Sequence, residues 1–375
     1  MITRPKIKNL HGLLFLKNRV RIGAGESYVA NIDNPNDKYT KILKALKLGI
    51  SRKEALAHPE KYDLSKAELK DCLKVLENAG YLEDEAIQPP VDLTGDNLER
   101  YKVNLNFFST LENPFNNKFK YQEKLKNATV LIIGLGGIGS NICIALLELG
   151  IGKIIATDFD EVDLSNLNRQ ILYSEKSVGK LKSEEAKKRA NEFNSYVQFE
   201  TIHQEISSQK DVQKIITVSK PDFVVNVADY PTGYIDFWVN QACVEKKIPL
   251  IAALVDKKNG RVYTVIPGKT ACYNCQYVDE LNSLPQHEEE VMATRVQKNS
   301  EKLDLYRSPN GALGPACLFQ GYFVSFEIMR YLFWGAESML TFNKRFSIDF
   351  LSFEQKFTPL KKLDDCEVCG GIVNE

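Results

Sequence analysis

Short apolar runs rich in β-branched residues alternate with stretches of helical apolar spacing over much of the chain. Runs at 129–133, 153–157 and 223–227 have the continuous hydrophobic character of strands buried on both faces of a parallel sheet. Between the first two runs, residues 141–149 carry apolar side chains at helical spacing and stop before Gly150. This alternation predicts an α/β domain of Rossmann-like type.

Later segments indicate that the sheet becomes mixed. Residues 261–266 predict a further strand, where folds of this kind turn antiparallel, and residues 342–357 alternate as a hairpin does. Between them, residues 277–312 are polar and acidic, which predicts a long crossover loop over the site.

The first 90 residues have a different pattern. Extended and then helical segments follow one another, at 12–22, 27–32, 37–49, 52–58 and 65–80. Ser65, three residues before Glu68, predicts a capping box. The short helices predict a winged-helix-like domain over 1–90, and the Pro-containing linker at 88–92 leads to a second domain over 91–375.

Winged-helix domains often bind DNA, but acidic residues are mixed among the lysines of the last helical segment, 66–78. A face that follows phosphates is therefore not expected. The whole chain has 49 basic and 49 acidic residues, which gives no general attraction to nucleic acid or to a membrane surface. Small modules of this shape also bind peptides by strand addition, and this is the interpretation we favour.

Four glycines directly follow the first buried strand, at positions Gly134, Gly136, Gly137 and Gly139. They allow a tight turn that brings backbone N–H groups near phosphate oxygens at a helix N-terminus. Asp158 ends the next strand about twenty residues later, where a carboxylate usually accepts the ribose hydroxyls. On these features alone, an NAD site and an ATP site fit equally well.

A polar and basic cassette after the acidic strand end favours ATP. This polar cassette consists of four residues within one short region, namely Asn166, Arg169, Gln170 and Lys182. A triphosphate needs more neutralisation than a dinucleotide, because its pyrophosphate must leave with negative charge. Arg169 can fork onto phosphate oxygens and Lys182 can act as a point charge. The alternative for both cations is a surface ion pair.

Asp229 is the candidate magnesium ligand. It follows the buried run at 223–227, and ligands of open parallel sheets bind at the carboxyl ends of strands. Magnesium takes one or two carboxylates together with phosphate oxygens and water. The alternative is a turn-forming aspartate before Tyr230 and Pro231.

This set of motifs resembles the ThiF/MoeB family, which is related to the ubiquitin-activating enzymes. The matching segments occur in the family's order, as Gly134–Gly139, Asp158-Phe-Asp160, Ser165–Gln170, Val178–Lys182 and Asp229. The resemblance implies a homodimeric adenylyltransferase in which a carboxylate attacks the ATP α-phosphate and pyrophosphate leaves. It implies that Asp158 holds the ribose, that Asp160 also belongs to the nucleotide-binding residues, and that Asp229 holds Mg²⁺. Asn166, Arg169 and Lys182 would hold the phosphates.

Within that family the chain is most similar to the MccB-like enzymes, which attach a nucleotide to microcin C–type peptides. The similar segments are 124–128, 168–174 and 267–276, together with a domain of about a hundred residues before the nucleotide fold. The resemblance implies that this domain clamps a short peptide, and that a C-terminal Asn is activated and ends in a P–N bond. The base is left open, so ATP or another nucleoside triphosphate is expected.

Other products share the same residues. Sulfur transfer to the C-terminus of a carrier protein, and dehydrative cyclisation of a peptide, both use the same activation step. A scaffold that only presents peptides and an NAD-dependent dehydrogenase are the remaining alternatives. One departure from the family's usual Arg-Tyr-X-Arg segment is present at 100–103, where Val103 replaces the second arginine. A contribution of that arginine to the partner subunit's site is therefore not expected from this position.

Eight cysteines and the absence of an apolar run long enough to span a membrane predict a reducing, cytoplasmic setting. Four of them form two Cys-X-X-Cys pairs, at Cys272, Cys275, Cys366 and Cys369. Two such pairs can bind one structural Zn²⁺, although free thiols or a redox pair are the alternatives. The family resemblance favours zinc. Cys317 begins an apolar helical pattern, which predicts a buried structural thiol rather than a thioester relay.

Overall fold

The computed structural model describes residues 2–23, 29–112, 117–283 and 311–370. Two compact units are present, residues 1–123 and 124–375. The predicted boundary at residue 90 lies inside the first unit, because the helices that follow it contact N-terminal elements. Lys8 Nζ, for example, donates a hydrogen bond of 2.6 Å to the backbone oxygen of Ser109. A peptide-binding role for residues 1–90 stays a prediction.

The first unit is built from short strands and helices around an aliphatic core. Its strands are β1 (Pro5–Ile7), β2 (Leu13–Leu16), β3 (Arg19–Ile22), β4 (Ala30–Asp33) and β5 (Leu82–Asp84). Its helices are α1 (Thr40–Leu48), α2 (Arg52–Ala57), α3 (Lys66–Asn78), α4 (Gly95–Arg100) and α5 (Lys102–Ser109), and α6 (Lys118–Lys126) crosses the boundary to the second unit.

Two antiparallel sheets accompany the helices of this unit. β1 pairs with β5, and β2, β3 and β4 form a three-stranded sheet. Leu43, Leu46, Leu69 and Leu73 from α1 and α3 are fully buried in the shared core. The predicted capping box at the start of α3 is confirmed, since Ser65 N donates to Glu68 Oε2 at 2.8 Å and Glu68 N donates to Ser65 Oγ at 3.3 Å.

The second unit contains the large sheet that the alternating pattern predicts. Its strands are β6 (Thr129–Ile133), β7 (Lys153–Thr157), β8 (Gln198–Ile202), β9 (Phe223–Asn226), β10 (Leu250–Asp256), β11 (Asn259–Val265), β12 (Lys344–Asp349) and β13 (Gln355–Pro359). Its further helices are α7 (Gly137–Leu149), α8 (Lys182–Phe193), α9 (Gln209–Ser219), α10 (Ile235–Glu245), α11 (Tyr273–Ser283) and α12 (Gly314–Trp334).

Within the described part of the chain, eight strands of this unit form one sheet in the order β13-β12-β11-β10-β9-β6-β7-β8. Neighbours from β10 to β8 are parallel, and neighbours from β10 to β13 are antiparallel. The predicted mixed α/β sheet is therefore confirmed. After β6 the chain continues to β7 on one side and later to β9 on the other, so the carboxyl end of β6 is a switch point, where open sheets bind ligands.

The predicted crossover loop at 277–312 is partly wrong. Residues 277–283 belong to α11. Tyr273 and Tyr277 are one helical turn apart in this helix, so both rings can pack edge-on against Phe237, at centroid distances of 4.9 and 5.0 Å. This packing stabilises the helix where a loop was predicted. Residues 284–310 of the predicted loop lie outside the described residues, and residues 311 and 312 are described as having no regular secondary structure. Among the residues that the structure describes, no helix has the length and apolar character needed to cross a bilayer.

The turn from β6 to α7 requires glycine at two positions. Gly134 has a φ of +99°, and a Cβ there would lie 2.9 Å from the backbone nitrogen of Ala228. A Cβ on Gly139 would overlap the backbone oxygen of Gly134. By contrast, a Cβ on Gly136 would meet nothing closer than Gln170 Nε2 at 4.0 Å. The first two glycines thus serve the close packing of the turn, and Gly136 faces open space.

We expect Gly139→Ala to lower the free energy of unfolding by about 2 kcal/mol, because the added methyl forces the turn apart. Gly136→Ala is the matched control and should change it by less than about 1 kcal/mol. Urea unfolding followed by tryptophan fluorescence measures this, since Trp238 and Trp334 both lie in the second unit. Equal midpoints for the two variants would contradict the tight-turn argument.

Candidate active site

A cavity of about 450 Å³ opens at the carboxyl ends of β6, β7 and β9. It is lined by ten of the residues that the sequence predicted for the nucleotide: Gly134, Gly136, Gly137, Asp158, Asp160, Asn166, Arg169, Gln170, Lys182 and Asp229. Gly139 does not line the cavity but lies under the turn, against Gly134. The structure therefore brings the separated motifs together around one space.

Asp158 is fixed at the end of β7 by the backbone of two neighbouring segments. Its Oδ2 accepts a hydrogen bond of 2.7 Å from Leu135 N in the glycine turn, and its Oδ1 accepts one of 2.9 Å from Asp160 N. Burial raises the pKa of the Asp158 carboxyl, and the charge of Lys182 opposes that rise. Each carboxylate oxygen keeps a further lone pair, so Asp158 can still accept hydroxyl hydrogen bonds from a ligand.

Lys182 lies at the start of α8 and forms an ion pair across the cavity wall. Its Nζ is 2.7 Å from Asp160 Oδ2, and its backbone nitrogen donates to the Asp160 backbone oxygen at 2.9 Å. The Lys182 side chain is 7% exposed, whereas that of Asp160 is 50% exposed. Lys182 therefore does form an ion pair, as the alternative interpretation expected, with a half-exposed carboxylate, and it places a nearly buried cation in the cavity wall.

Arg169 follows a 3₁₀ helix over Leu164–Asn168 that carries the polar cassette. Asn166 shapes this helix, because its Oδ1 accepts from Asp163 N at 3.2 Å and its backbone oxygen accepts from Gln170 N at 3.0 Å. The Arg169 guanidinium donates from Nη1 to Asn168 Oδ1 at 2.8 Å. Arg169 lines the cavity, and no carboxylate among the described residues forms an ion pair with it.

Gln170 adds an unused polar atom to the cavity wall. The residue is 3% exposed, and its Oε1 has no hydrogen-bond partner among the described residues. A buried amide oxygen without a partner is costly, and a hydroxyl or N–H of a bound ligand would satisfy it. This supports a polar ligand near Gly136 and Gln170.

Asp229 lies three residues after β9 and is exposed to the cavity. Its backbone oxygen accepts from Thr232 Oγ1 at 2.9 Å, so the residue does begin a turn, as the alternative interpretation expected. Asp229 nevertheless lines the same cavity as Arg169 and Lys182. Asp229 therefore both begins a turn and lines the candidate site.

Sequence reasoning missed Asp236, which supports this edge of the sheet from α10. Its Oδ1 accepts from Asn226 Nδ2 at 2.8 Å. Burial raises the pKa of the Asp236 carboxyl to about 6; the Asn226 hydrogen bond opposes the rise, and the charge of Asp229 adds to it. The sequence could have indicated Asp236 only as an acidic residue in the first turn of a helix. Acidic residues are common at that position because they interact favourably with the helix dipole, so the signal does not distinguish a site residue.

The cavity also has a wall that the sequence did not indicate. Phe159 and Tyr230 lie with ring centroids 5.7 Å apart, and Gln204 and Ile206 follow the carboxyl end of β8. Gln204 and Ile206 follow the strand beside β7, whereas Tyr230 follows β9, which lies on the other side of β6.

The four predicted metal ligands converge away from this cavity. The sulfur atoms of Cys272, Cys275, Cys366 and Cys369 all lie within 4.8 Å of one another. Nearest pairs are 3.4 Å apart for Cys275 and Cys369 and 3.6 Å apart for Cys272 and Cys366. Zn–S bonds of about 2.3 Å place tetrahedral sulfurs roughly 3.8 Å apart, so the arrangement fits one Zn²⁺.

Comparison with known proteins agrees with this geometry. The model of the ThiF family matches residues 102–368. The chain is 36% identical over 157 residues to adenylyltransferase and sulfurtransferase MOCS3 of Aedes aegypti, which is 42% of this chain and 35% of that protein. It is 28% identical over 253 residues to the sulfur carrier protein ThiS adenylyltransferase of Escherichia coli, which is 67% of this chain and 89% of that protein.

Among solved structures, E. coli MccB is similar over nearly the whole length. It has a TM-score of 0.71 and 25% sequence identity, and the match covers 99% of this chain and 98% of that one. The matches to the first curated relatives span only 35% and 45% of those proteins' own lengths. The family model, in contrast, covers well over half of the chain, with the motifs at 134–139, 158–160, 165–170 and 229 inside it. The chain therefore belongs to the ThiF family, with the α/β adenylation fold that its sequence motifs predicted.

Proposed function

We propose that the protein is a nucleotidyltransferase that activates a carboxylate with ATP and releases pyrophosphate. The observation that carries this proposal is the single cavity that joins a glycine turn, a ribose acceptor, two cations and an exposed carboxylate. The curated relatives are named adenylyltransferases, and E. coli MccB has been solved with ATP. A dehydrogenase would not need the cations at 169 and 182, and a scaffold would need none of these groups.

In the proposed reaction, an oxygen of the substrate carboxylate attacks the α-phosphorus. The bond between that phosphorus and the bridging oxygen to the β-phosphate breaks, and pyrophosphate leaves. Asp158 holds the ribose hydroxyls, and backbone N–H groups at the start of α7 hold phosphate oxygens. Arg169 and Lys182 offset the negative charge that develops on the leaving group.

Asp229 would hold Mg²⁺ in this site. Its carboxylate is a hard oxygen ligand, lines the cavity and is exposed there, which fits a metal that also binds phosphate oxygens and water. Bound Mg²⁺ would supply further neutralisation of the phosphates. Asp236 and Asn226 keep the end of β9 and the start of α10 in register beneath it.

For the substrate we propose the C-terminal carboxylate of a short peptide with Asn as its last residue. The activated Asn would close to a succinimide with release of the nucleoside monophosphate. The succinimide nitrogen would then attack the α-phosphorus of a second nucleoside triphosphate, which forms the P–N bond and releases a second pyrophosphate. MccB matches 98–99% of this chain, including the N-terminal unit, and has been solved in complex with N-formylated MccA. The curated relatives MOCS3 and ThiS adenylyltransferase match only 42% and 67% of the chain. The N-terminal unit offers edge strands β2 and β4, which suit peptide binding by strand addition.

Adenylation of a carrier protein for sulfur transfer is the second candidate, since its enzymes include the curated relatives named above. A covalent relay through Cys317 is disfavoured in either case. Cys317 is 2% exposed, and burial raises the pKa of its thiol to about 11. A thiol that stays protonated is a poor nucleophile. Direct use of the acyl-nucleotide, or dehydrative cyclisation with release of AMP, remains compatible with the site.

We also propose a homodimer and one structural Zn²⁺ per chain. Exposed apolar side chains on α12 and on the β12–β13 hairpin support a second copy as partner, namely Leu318, Phe326, Leu351, Phe353 and Phe357. The geometry of the four thiols supports the zinc ion, which would tie the C-terminal segment to the start of α11. None of the eight cysteines, all of which are described, forms a disulfide, and this fits a reducing compartment such as the cytoplasm.

Intact-mass spectrometry tests the proposed reaction. Short peptides with varied C-terminal residues are incubated with the protein, Mg²⁺ and each of the four nucleoside triphosphates. We expect a peptide ending in Asn to gain a nucleoside monophosphate that survives mild base. Loss of water alone would support cyclisation instead. No change in any peptide, together with pyrophosphate exchange in the presence of a carrier protein, would support sulfur transfer.

Asp229→Ala should lower pyrophosphate release by about a hundredfold or more. The variant lacks the carboxylate proposed to hold Mg²⁺, and the phosphate charge would then be neutralised less well. Binding of the modified peptide, measured by fluorescence anisotropy, should not change. Asp256→Asn is the control, because Asp256 is an exposed carboxylate at the end of β10 and does not line the cavity. Normal turnover in Asp229→Ala would contradict the catalytic proposal and favour a scaffold.

Cys366→Ser should reduce the zinc content of the purified protein to well below one ion per chain and lower its melting temperature, because one of four ligands is lost. Inductively coupled plasma mass spectrometry and calorimetry measure the two effects. Cys72→Ser is the matched control, as Cys72 lies on α3 in the other unit. Wild-type protein without zinc, or full zinc in the variant, would exclude this site.

A further inference from the structure

Asn168 connects two segments that line the nucleotide cavity. Its Oδ1 accepts a hydrogen bond of 2.8 Å from Arg169 Nη1, and its Nδ2 donates one of 3.2 Å to the backbone oxygen of Ala312. Both ends of one exposed carboxamide are therefore used. Gly314, two residues after Ala312, begins α12, so this contact lies just before the N-terminus of that helix.

A second contact joins the same two segments. A Cβ on Gly314 would lie 2.5 Å from the backbone oxygen of Asn168 and 3.7 Å from the Cα of Arg169. The start of α12 thus packs directly on the backbone of the cassette, and Ala312 is 5% exposed. The Asn168 side chain is therefore hydrogen-bonded to a segment that also packs against the backbone of Asn168.

The remaining contacts of Arg169 set its direction without cancelling its charge. The side-chain carbons Cγ and Cδ pass over Gly137, where a Cβ would lie 3.0 Å from Cδ, and the Cys317 sulfur lies beside the same glycine. Nη1 also approaches the Ser165 backbone oxygen at 3.3 Å. Both acceptors of Nη1 are neutral. A carboxylate in the same place would orient the guanidinium equally well but would neutralise it.

We propose that Asn168 is a positioning residue of the nucleotide site, which orients the Arg169 guanidinium toward the β- and γ-phosphates while leaving its charge unpaired. This inference rests on the proposed function, because it assigns the phosphates to Arg169. Asn168 itself need not touch the nucleotide. Its effect passes through one hydrogen bond to Arg169, and the second bond, to Ala312, fixes the carboxamide in the orientation that presents Oδ1.

Isothermal titration calorimetry with MgATP and with AMP tests the proposal without a peptide. Asn168→Ala should weaken MgATP binding by about tenfold, as expected for one hydrogen bond to a charged group, and should change AMP binding by less than about twofold. AMP lacks the β- and γ-phosphates, so general damage to the site would weaken both ligands. Asn191→Ala, at an exposed position on α8 that does not line the cavity, is the matched control.

A double-mutant cycle separates action through Arg169 from an independent effect. In an Arg169→Ala background, Asn168→Ala should cause less than about a twofold further loss of MgATP affinity. A further tenfold loss there, equal weakening of ATP and AMP, or unchanged ATP binding in Asn168→Ala would each overturn the inference. If the wild-type protein binds none of the four nucleoside triphosphates with Mg²⁺, the proposed function fails as well, whereas the outcomes above overturn only the role of Asn168.

Discussion

The close approach of backbone segments at the end of β6 is the constraint on which the rest of the site depends. The first turn of α7 lies against the carbonyl of Gly134, and Gly134 in turn lies against the backbone of Ala228 after β9. Only residues without a Cβ allow both contacts. Because these contacts fix the N-terminus of α7 between two strand ends, its free N–H groups face the same space as Asp158 and Asp229.

The charges around that space are arranged unequally, and the difference has a physical meaning. Lys182 is nearly buried and is neutralised in part by Asp160, so its position is maintained before any ligand binds. Arg169 is held by neutral oxygens and keeps its full charge. A nucleotide with two or three phosphates would therefore find one cation fixed by an ion pair and one that, within the described part of the chain, pairs with no carboxylate.

The two units contribute different kinds of evidence about function. The second unit contains all the residues proposed for the chemistry and most of the stretch that matches the ThiF family, 102–368. The first unit contains short sheets with open edges. The proposal of a peptide substrate depends on this unit and on the similarity to MccB along nearly the whole chain. The cysteine cluster belongs to neither function directly. It would stabilise the C-terminal segment where α11 begins.

The sequence by itself determined the alternating α/β fold, the mixed sheet, the glycine turn and the residues of the cassette, because these depend on local spacing and on strand periodicity. It also indicated the four cysteines, whose pairs are short motifs. Only the tertiary structure decided that Asp229 lines the same cavity as Arg169, that Asp236 accepts a hydrogen bond from Asn226, and that Asn168 bonds to Ala312. These contacts join residues from separate elements, and their partners are set by strand order and helix packing, which no local pattern encodes.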